Sequence, residues 1–201
     1  MKKPLVYPVV FMVVVTAVFT ALLATFNYVT SDTIKFNNEH ELRLKILYVF
    51  DILPANEDPK EIEELFNDKV SEKKFGDISG FALVDNNEEK AYAIPVDGPG
   101  LWGSITGYVG LNKDFTKIIG IEFVTQSETP GLGGRIAEED YKQQFRNIDI
   151  TSPINGNYII SRPQTGGNID AISGATQTSS AVVKFINEDL VNFFKTVEVG
   201  K

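Results

Sequence analysis

The chain has 201 residues, with 27 acidic and 19 basic side chains, one His and no Cys. That composition excludes disulfides, thiolate-held iron–sulfur clusters, CxxCH haem attachment and a thiol nucleophile, and one His excludes a His-rich zinc site. Redox work would therefore need an organic cofactor, and the length suits one domain with an appendage.

The mean hydropathy of −0.06 averages two unlike parts. After Lys2 and Lys3 no charge occurs before Asp32, and Leu5–Phe26 is a mostly apolar run of 22 residues. At about 1.5 Å rise per residue such a run spans a bilayer. It exceeds the roughly 7–15 residues of a signal-peptide h-region, and no A-x-A site follows, so a retained single anchor is expected. Lys2 and Lys3 place the N-terminus inside and residues from about 30 onward outside, on the extracytoplasmic face of the cytoplasmic membrane. Residues 32–201 carry all 27 acids and 17 of the 19 bases, a net charge of −10. That surface argues against nucleic acid and against anionic headgroups as partners; the lipid bilayer is met by the anchor.

From Asn38 to Leu53 the apolar residues Leu42, Ile46, Val49 and Leu53 recur at helical spacing, predicting an amphipathic stalk helix that Pro54 ends. A short helix is expected over Pro59–Asn67. The period then becomes strand-like over Ile78–Val84, Lys90–Pro95, Gly103–Leu111 and Lys117–Val124, with turn signals at Asp85-Asn86-Asn87 and Asn112-Lys113-Asp114. Glu138–Phe145 reads as helix, Tyr158–Ser161 as a short strand, and Thr178–Phe194 as a final helix burying Val182, Ile186, Leu190 and Phe193. Antiparallel hairpins flanked by helices give an α+β domain. The predicted organisation is a cytoplasmic tail (1–4), a transmembrane helix (5–27), stalk and short helices (28–72) and a globular domain (73–201).

Several motifs fail on context. Gly98–Gly103 matches GxGxxG but leads into a strand, whereas the dinucleotide fingerprint opens a helix. Gly131-Leu-Gly133-Gly134 lacks the GK[ST] of a P-loop. Ser180 and Lys184 are four apart, where an SxxK nucleophile needs three. His40 lies on the stalk, and the acidic clusters at Glu61–Glu64 and Glu138–Asp140 read as solvated faces.

Two segments carry chemistry. In Asp170-Ala-Ile-Ser-Gly-Ala-Thr176-Gln-Thr-Ser-Ser, small residues deliver Thr176 to the mouth of the last helix. There its hydroxyl stands beside unpaired backbone N–H groups and the positive end of the helix dipole, a phosphate-binding arrangement. The same residues also fit a plain N-cap by Ser173 or Thr176. In Ser127-Glu-Thr-Pro-Gly-Leu-Gly-Gly-Arg-Ile136, Pro130-Gly131 is a turn pair, and Gly133-Gly134 permits positive φ. Leu132 is then an apolar side chain on a turn, able to support a planar ring, although the segment also fits a connecting loop.

Asp170–Ser179 resembles the flavinylation motif of FMN-binding domains, and Ser127–Ile136 resembles the companion ETPGLG loop of that family. Both motifs, in this order behind one membrane helix, are similar to the FMN-carrying subunit of Rnf and Nqr ion-translocating complexes. The resemblance implies that 73–201 is an FMN-binding domain, with FMN esterified through its phosphate to Thr176. It implies that Asp170, Ser173, Gly174, Ala175 and Thr176 are read by a flavin transferase, and that Ser173, Gly174 and Ala175 also border the cofactor. Glu128, Thr129, Leu132 and Gly133 would line the isoalloxazine, Thr178 the phosphate end, and Trp102 the neighbourhood of the ring. The implied role is electron transfer within a complex that moves Na+ or H+, with flavin and iron–sulfur subunits as partners. The alternatives are a stand-alone anchored flavinylated carrier or reductase, a membrane-anchored sensory or structural domain, and an exported hydrolase.

Overall fold

The computed structural model describes residues 6–199; the predicted tail, Lys2, Lys3, Leu5 and the last two residues lie outside the described residues. The chain forms two compact units that meet between Glu41 and Leu42. The first unit is helical. Helix α1 runs without interruption over Val6–Val49, so the membrane segment and the stalk are one helix. Among the described residues it is the one helix long and apolar enough to cross a membrane, and its apolar stretch is wholly unburied.

In the second unit α1 stops at Asp51, whose φ of 60° is left-handed. The Asp51 N–H donates to the Tyr48 carbonyl at 3.0 Å and the Ile52 N–H to the Leu47 carbonyl at 3.1 Å, the paired bonds of a Schellman end. The sequence reading extends the helix to Leu53 because Pro54 is its visible stop. The actual stop lies earlier, and it is made by the backbone. Helix α2 follows at Pro59–Lys69, capped by Asp58, whose side chain accepts from the N–H groups of Lys60 and Glu61.

Five strands form one antiparallel meander in chain order: β1 (Val70–Phe75), β2 (Ile78–Asp85), β3 (Glu88–Pro99), β4 (Ser104–Asn112) and β5 (Ile118–Thr125). The β2–β3 turn places Asn86 and Asn87 at φ 51° and 61°, the twist that matches two antiparallel strands. β1 is absent from the sequence reading, which begins the strands at Ile78. Its Val-Ser-Glu-Lys-Lys-Phe is an edge strand whose charges face water, with Lys73 paired to Glu89 at 2.6 Å.

The alternation of the strands separates two cores. One face turns Ile94, Val96, Ile105, Val109, Leu111 and Ile121 toward helix α4 (Thr176–Val199), which contributes Val182, Ile186, Leu190 and Phe193 as its stripe predicts. The other face, with Ala91, Ala93, Tyr108 and Ile119, receives Ile46, Leu47, Val49 and Phe50 from the end of α1 and Ile62 from α2. The α1 end sits close because the cross-strand pair Gly110 and Gly120 leaves the sheet bare beneath it. Arg146 pins it there, donating from Nη1 to the Ile119 carbonyl at 2.6 Å and from Nη2 to the Tyr48 carbonyl at 3.0 Å.

Between β5 and α4 the chain makes a 3-10 helix at Gly133–Ala137, helix α3 at Glu139–Lys142, and a second 3-10 helix at Gln143–Phe145. The predicted helix Glu138–Phe145 is thus two short pieces. The predicted strand Tyr158–Ser161 joins no sheet; Ser161 makes only an isolated bridge to Ile169. Its backbone is held instead by Asn187 of α4. That amide accepts from the Tyr158 and Ile159 N–H groups at 2.8 and 2.9 Å and donates to the Ile159 and Val183 carbonyls. Asn187→Leu keeps the volume and orphans these groups, so we expect a loss of about 2–3 kcal/mol in urea unfolding. A wild-type midpoint would mean that water replaces the amide.

Candidate functional site

Three segments converge on one cleft of about 430 Å³. The β3–β4 hairpin supplies Leu101 and Trp102, the loop after β5 supplies Glu128, Thr129, Leu132 and Gly133, and the entrance of α4 supplies residues 174–178. A larger cleft of about 520 Å³ along the outer face of α4 contains none of the predicted site residues. The smaller cleft is the chemically furnished one, combining an apolar platform, a free hydroxyl and a buried carboxylate.

The loop after β5 is shaped by a turn in which the Leu132 N–H donates to the Thr129 carbonyl at 3.1 Å, with Gly131 at φ 74° after Pro130. This is the arrangement of a type II turn. Leu132 is held up 46% exposed. Gly133 does not use the positive φ that a glycine permits. It is required by contact: a Cβ there would lie 2.6 Å from Thr178 Oγ1 and 2.7 Å from Glu128 Oε2.

Neither Ser173 nor Thr176 caps α4. The entrance is fixed from inside the helix by Ser179, which accepts from the Ile172 N–H at 3.0 Å and donates to the Ala175 carbonyl at 3.1 Å. Gly174, at φ 79°, turns the chain into the helix beside Leu132. Helix α4 starts at Thr176 rather than Thr178. The Thr176 hydroxyl is exposed and makes no hydrogen bond among the described residues, and the N–H groups of residues 176–178 likewise have no partner there. This combination is what an anion needs at a helix start.

Glu128 ties the three segments together. It is 5% exposed, and its Oε1 accepts from the Leu101 and Trp102 N–H groups at 2.8 and 3.0 Å. Its Oε2 accepts from the Thr178 hydroxyl at 2.6 Å. Thr178 therefore faces Glu128, and its own hydroxyl is occupied. Burial pushes the Glu128 carboxyl upward, but the bonds from Thr178, Trp102 and Leu101 outweigh it and hold the group below its usual range. Its folded pKa lies below the unfolded value of about 4.3, so its stabilisation is complete above that pH and disappears as pH falls through the folded value. Thr178→Val removes one donor. Its urea midpoint is expected to fall below wild type at pH 7, and the difference should shrink as pH falls through the folded value of the wild-type carboxyl.

Asp170 and Ser173 lie apart from this cleft and line a neighbouring one of about 240 Å³ with Arg135, Tyr141 and Gln144. Asp170 pairs with Arg162 at 2.6 Å, and its N–H donates to Gln144 Oε1 at 2.7 Å. Sequence reasoning missed Leu101, Gln177 and Gly100; a Cβ at Gly100 would lie 2.5 Å from Glu128 Oε1. Trp102 carried the only local signal for the hairpin wall, and it stands 71% exposed at the cleft.

The FMN-binding domain family matches residues 100–191, the stretch that holds all three walls. A subunit of the ion-translocating oxidoreductase complex of Methanosarcina acetivorans is 31% identical over 187 residues, 90% of each chain. A subunit of the Na(+)-translocating NADH-quinone reductase of Chlamydia trachomatis is 29% identical over 150 residues, covering 64% of this chain and 46% of that subunit. This chain thus spans less than half of the longer relative. The crystal structure of a Na(+)-translocating NADH-quinone reductase subunit from Parabacteroides distasonis shares the fold, with a TM-score of 0.68 at 23% identity over 82% of this chain and 95% of that one.

Proposed function

Since the chain belongs to the family of FMN-binding subunits of ion-translocating oxidoreductase complexes, we propose that it is the electron-carrying flavoprotein subunit of an Rnf- or Nqr-type complex, with FMN joined to Thr176 Oγ1 as a phosphoester. The observation that carries the covalent reading is the Thr176 hydroxyl, exposed and unpartnered at the start of α4 beside free N–H groups. Those N–H groups would bind the phosphate oxygens, and the helix dipole would favour their charge. Leu132 and Trp102 offer apolar surface to the ring, and Gly133 lets the loop close against Thr178 and Glu128.

Bound FMN would supply the electron chemistry that a chain without Cys and with one His does not carry in its own side chains. The protein's part is to hold the cofactor in place, shield one face and fix the charges around it. A flavin transferase would join FMN to the hydroxyl after reading Asp170–Thr176. The other flavin and iron–sulfur subunits of the complex would be donor and acceptor. Val6–Phe26 would anchor the chain in the cytoplasmic membrane with the N-terminus inside and the flavin domain outside.

The test is a denaturing gel of the chain made in cells with a flavin transferase. A fluorescent band should persist, and the peptide containing Thr176 should be heavier by FMN less one water. A dark band from intact, folded protein would overturn the phosphoester.

A further inference from the structure

Among the residues lining the Thr176 cleft, Glu128 alone is ionisable. It is also nearly buried, and no cation lies in the cleft wall to neutralise it. Its three hydrogen-bond donors are two backbone N–H groups and a hydroxyl, all uncharged. Resting on the FMN reading above, we propose that Glu128 sets the reduction potential of the flavin: its carboxylate is a fixed negative charge in the cleft wall that opposes the arrival of electrons.

The hydrogen-bond pattern does not itself call for a charge. A Gln in this place would accept from the Leu101 and Trp102 N–H groups with its carbonyl oxygen, and the Thr178 hydroxyl could rotate to accept from the amide nitrogen. A neutral side chain of the same shape would therefore hold the three segments together. A buried carboxylate carries a larger desolvation cost than such an amide, and here its donors offset that cost. The surrounding donors keep it ionised, and Gly100 and Gly133 allow the backbone to enclose it, since a Cβ at either position would lie 2.5 or 2.7 Å from one of its oxygens.

Charges in such a wall are weakly screened by solvent, and a full negative charge raises the energy of whichever flavin state carries more electrons. The start of α4 acts in the opposite sense, with about half an elementary charge at most. The net effect is a lowered potential, which suits a carrier that passes electrons onward.

The test uses the full-length chain with its flavin attached, in detergent, titrated with dithionite in a spectroelectrochemical cell. Glu128→Gln is expected to raise the potential, so that the reduced-to-oxidised ratio at a fixed ambient potential grows roughly tenfold. Glu128→Asp keeps the charge but is too short to reach all three donors; its potential should stay near wild type while its thermal stability falls. A flavin-loaded E128Q protein with wild-type potential overturns the proposal. So does an E128D protein that shifts as far as E128Q, because hairpin geometry would then be the cause. An E128Q chain that does not fold or takes up no flavin also overturns it, since the amide would not be the neutral equivalent. A wild-type chain without flavin refutes instead the reading on which the proposal rests.

Discussion

Replacing Thr176 with Ala is expected to give a chain that folds normally and carries no covalent flavin. The loss should be complete, because no other hydroxyl of the cleft stands free at the start of α4; Thr129 also lines the cleft, but on the loop after β5. The Thr178 hydroxyl is buried and donates to Glu128, and Ser173 opens onto the neighbouring cleft. The Thr176 side chain contributes no hydrogen bond to the fold, and Ala is a good helix former, so stability should stay within about 0.5 kcal/mol of wild type. Intact mass and gel fluorescence read the first effect and thermal melting the second. A fluorescent T176A band would move the attachment elsewhere.

A second large effect, on stability, is expected at Gly120. Its Cα faces Gly110 across β4 and β5, and a Cβ would lie 2.5 Å from the Val49 carbonyl oxygen and 3.1 Å from Arg146 Nη1. The obstructing atom is backbone, held by the Schellman end of α1 and by Arg146, so no side-chain rotation relieves it. Gly120→Ala should cost about 1–3 kcal/mol in urea unfolding and loosen the contact of residues 46–50 with the sheet. Gly131→Ala is the informative contrast. Nothing lies within 4 Å of a Cβ there, so only the positive φ opposes it. A cost of about 1 kcal/mol is expected. Equal costs at the two positions would mean that the α1 end is not seated on the glycine pair.

How much of this was legible depended on whether one face of an element met the core. The α4 stripe and the α1 positions Ile46 and Val49 announced themselves because their apolar period is clean. β1 did not, because an edge strand spends its sequence on charges that keep other chains away, leaving Val70 and Phe75 as its apolar ends. Tyr158–Ser161 misled for the opposite reason. Its aliphatic residues are buried, but the side-chain amides of Asn187 and Asn168 replace the ladder. The two motifs of the site were visible as local strings, and they do meet in one cleft. Of its third wall only Trp102 was visible, because Glu128 reaches partners 26, 27 and 50 residues away. Only the completed β3–β4 hairpin brings Leu101 and Trp102 within its range. The role of Gly133 was hidden likewise: a steric limit is set by neighbours in space.

The way α1 ends decides where this chain can be cut. Ile46, Leu47, Val49 and Phe50 are core residues of the globular unit, and they fill the face that Gly110 and Gly120 leave uncovered. A soluble fragment started after Pro54, where the sequence shows its most obvious break, would carry an open apolar trough along β4 and β5 and aggregate. One started at Leu42 keeps the plug and the Arg146 bonds to it. The last two turns of the membrane-type helix therefore belong, for anyone preparing crystals or electrodes from this protein, to the water-soluble half.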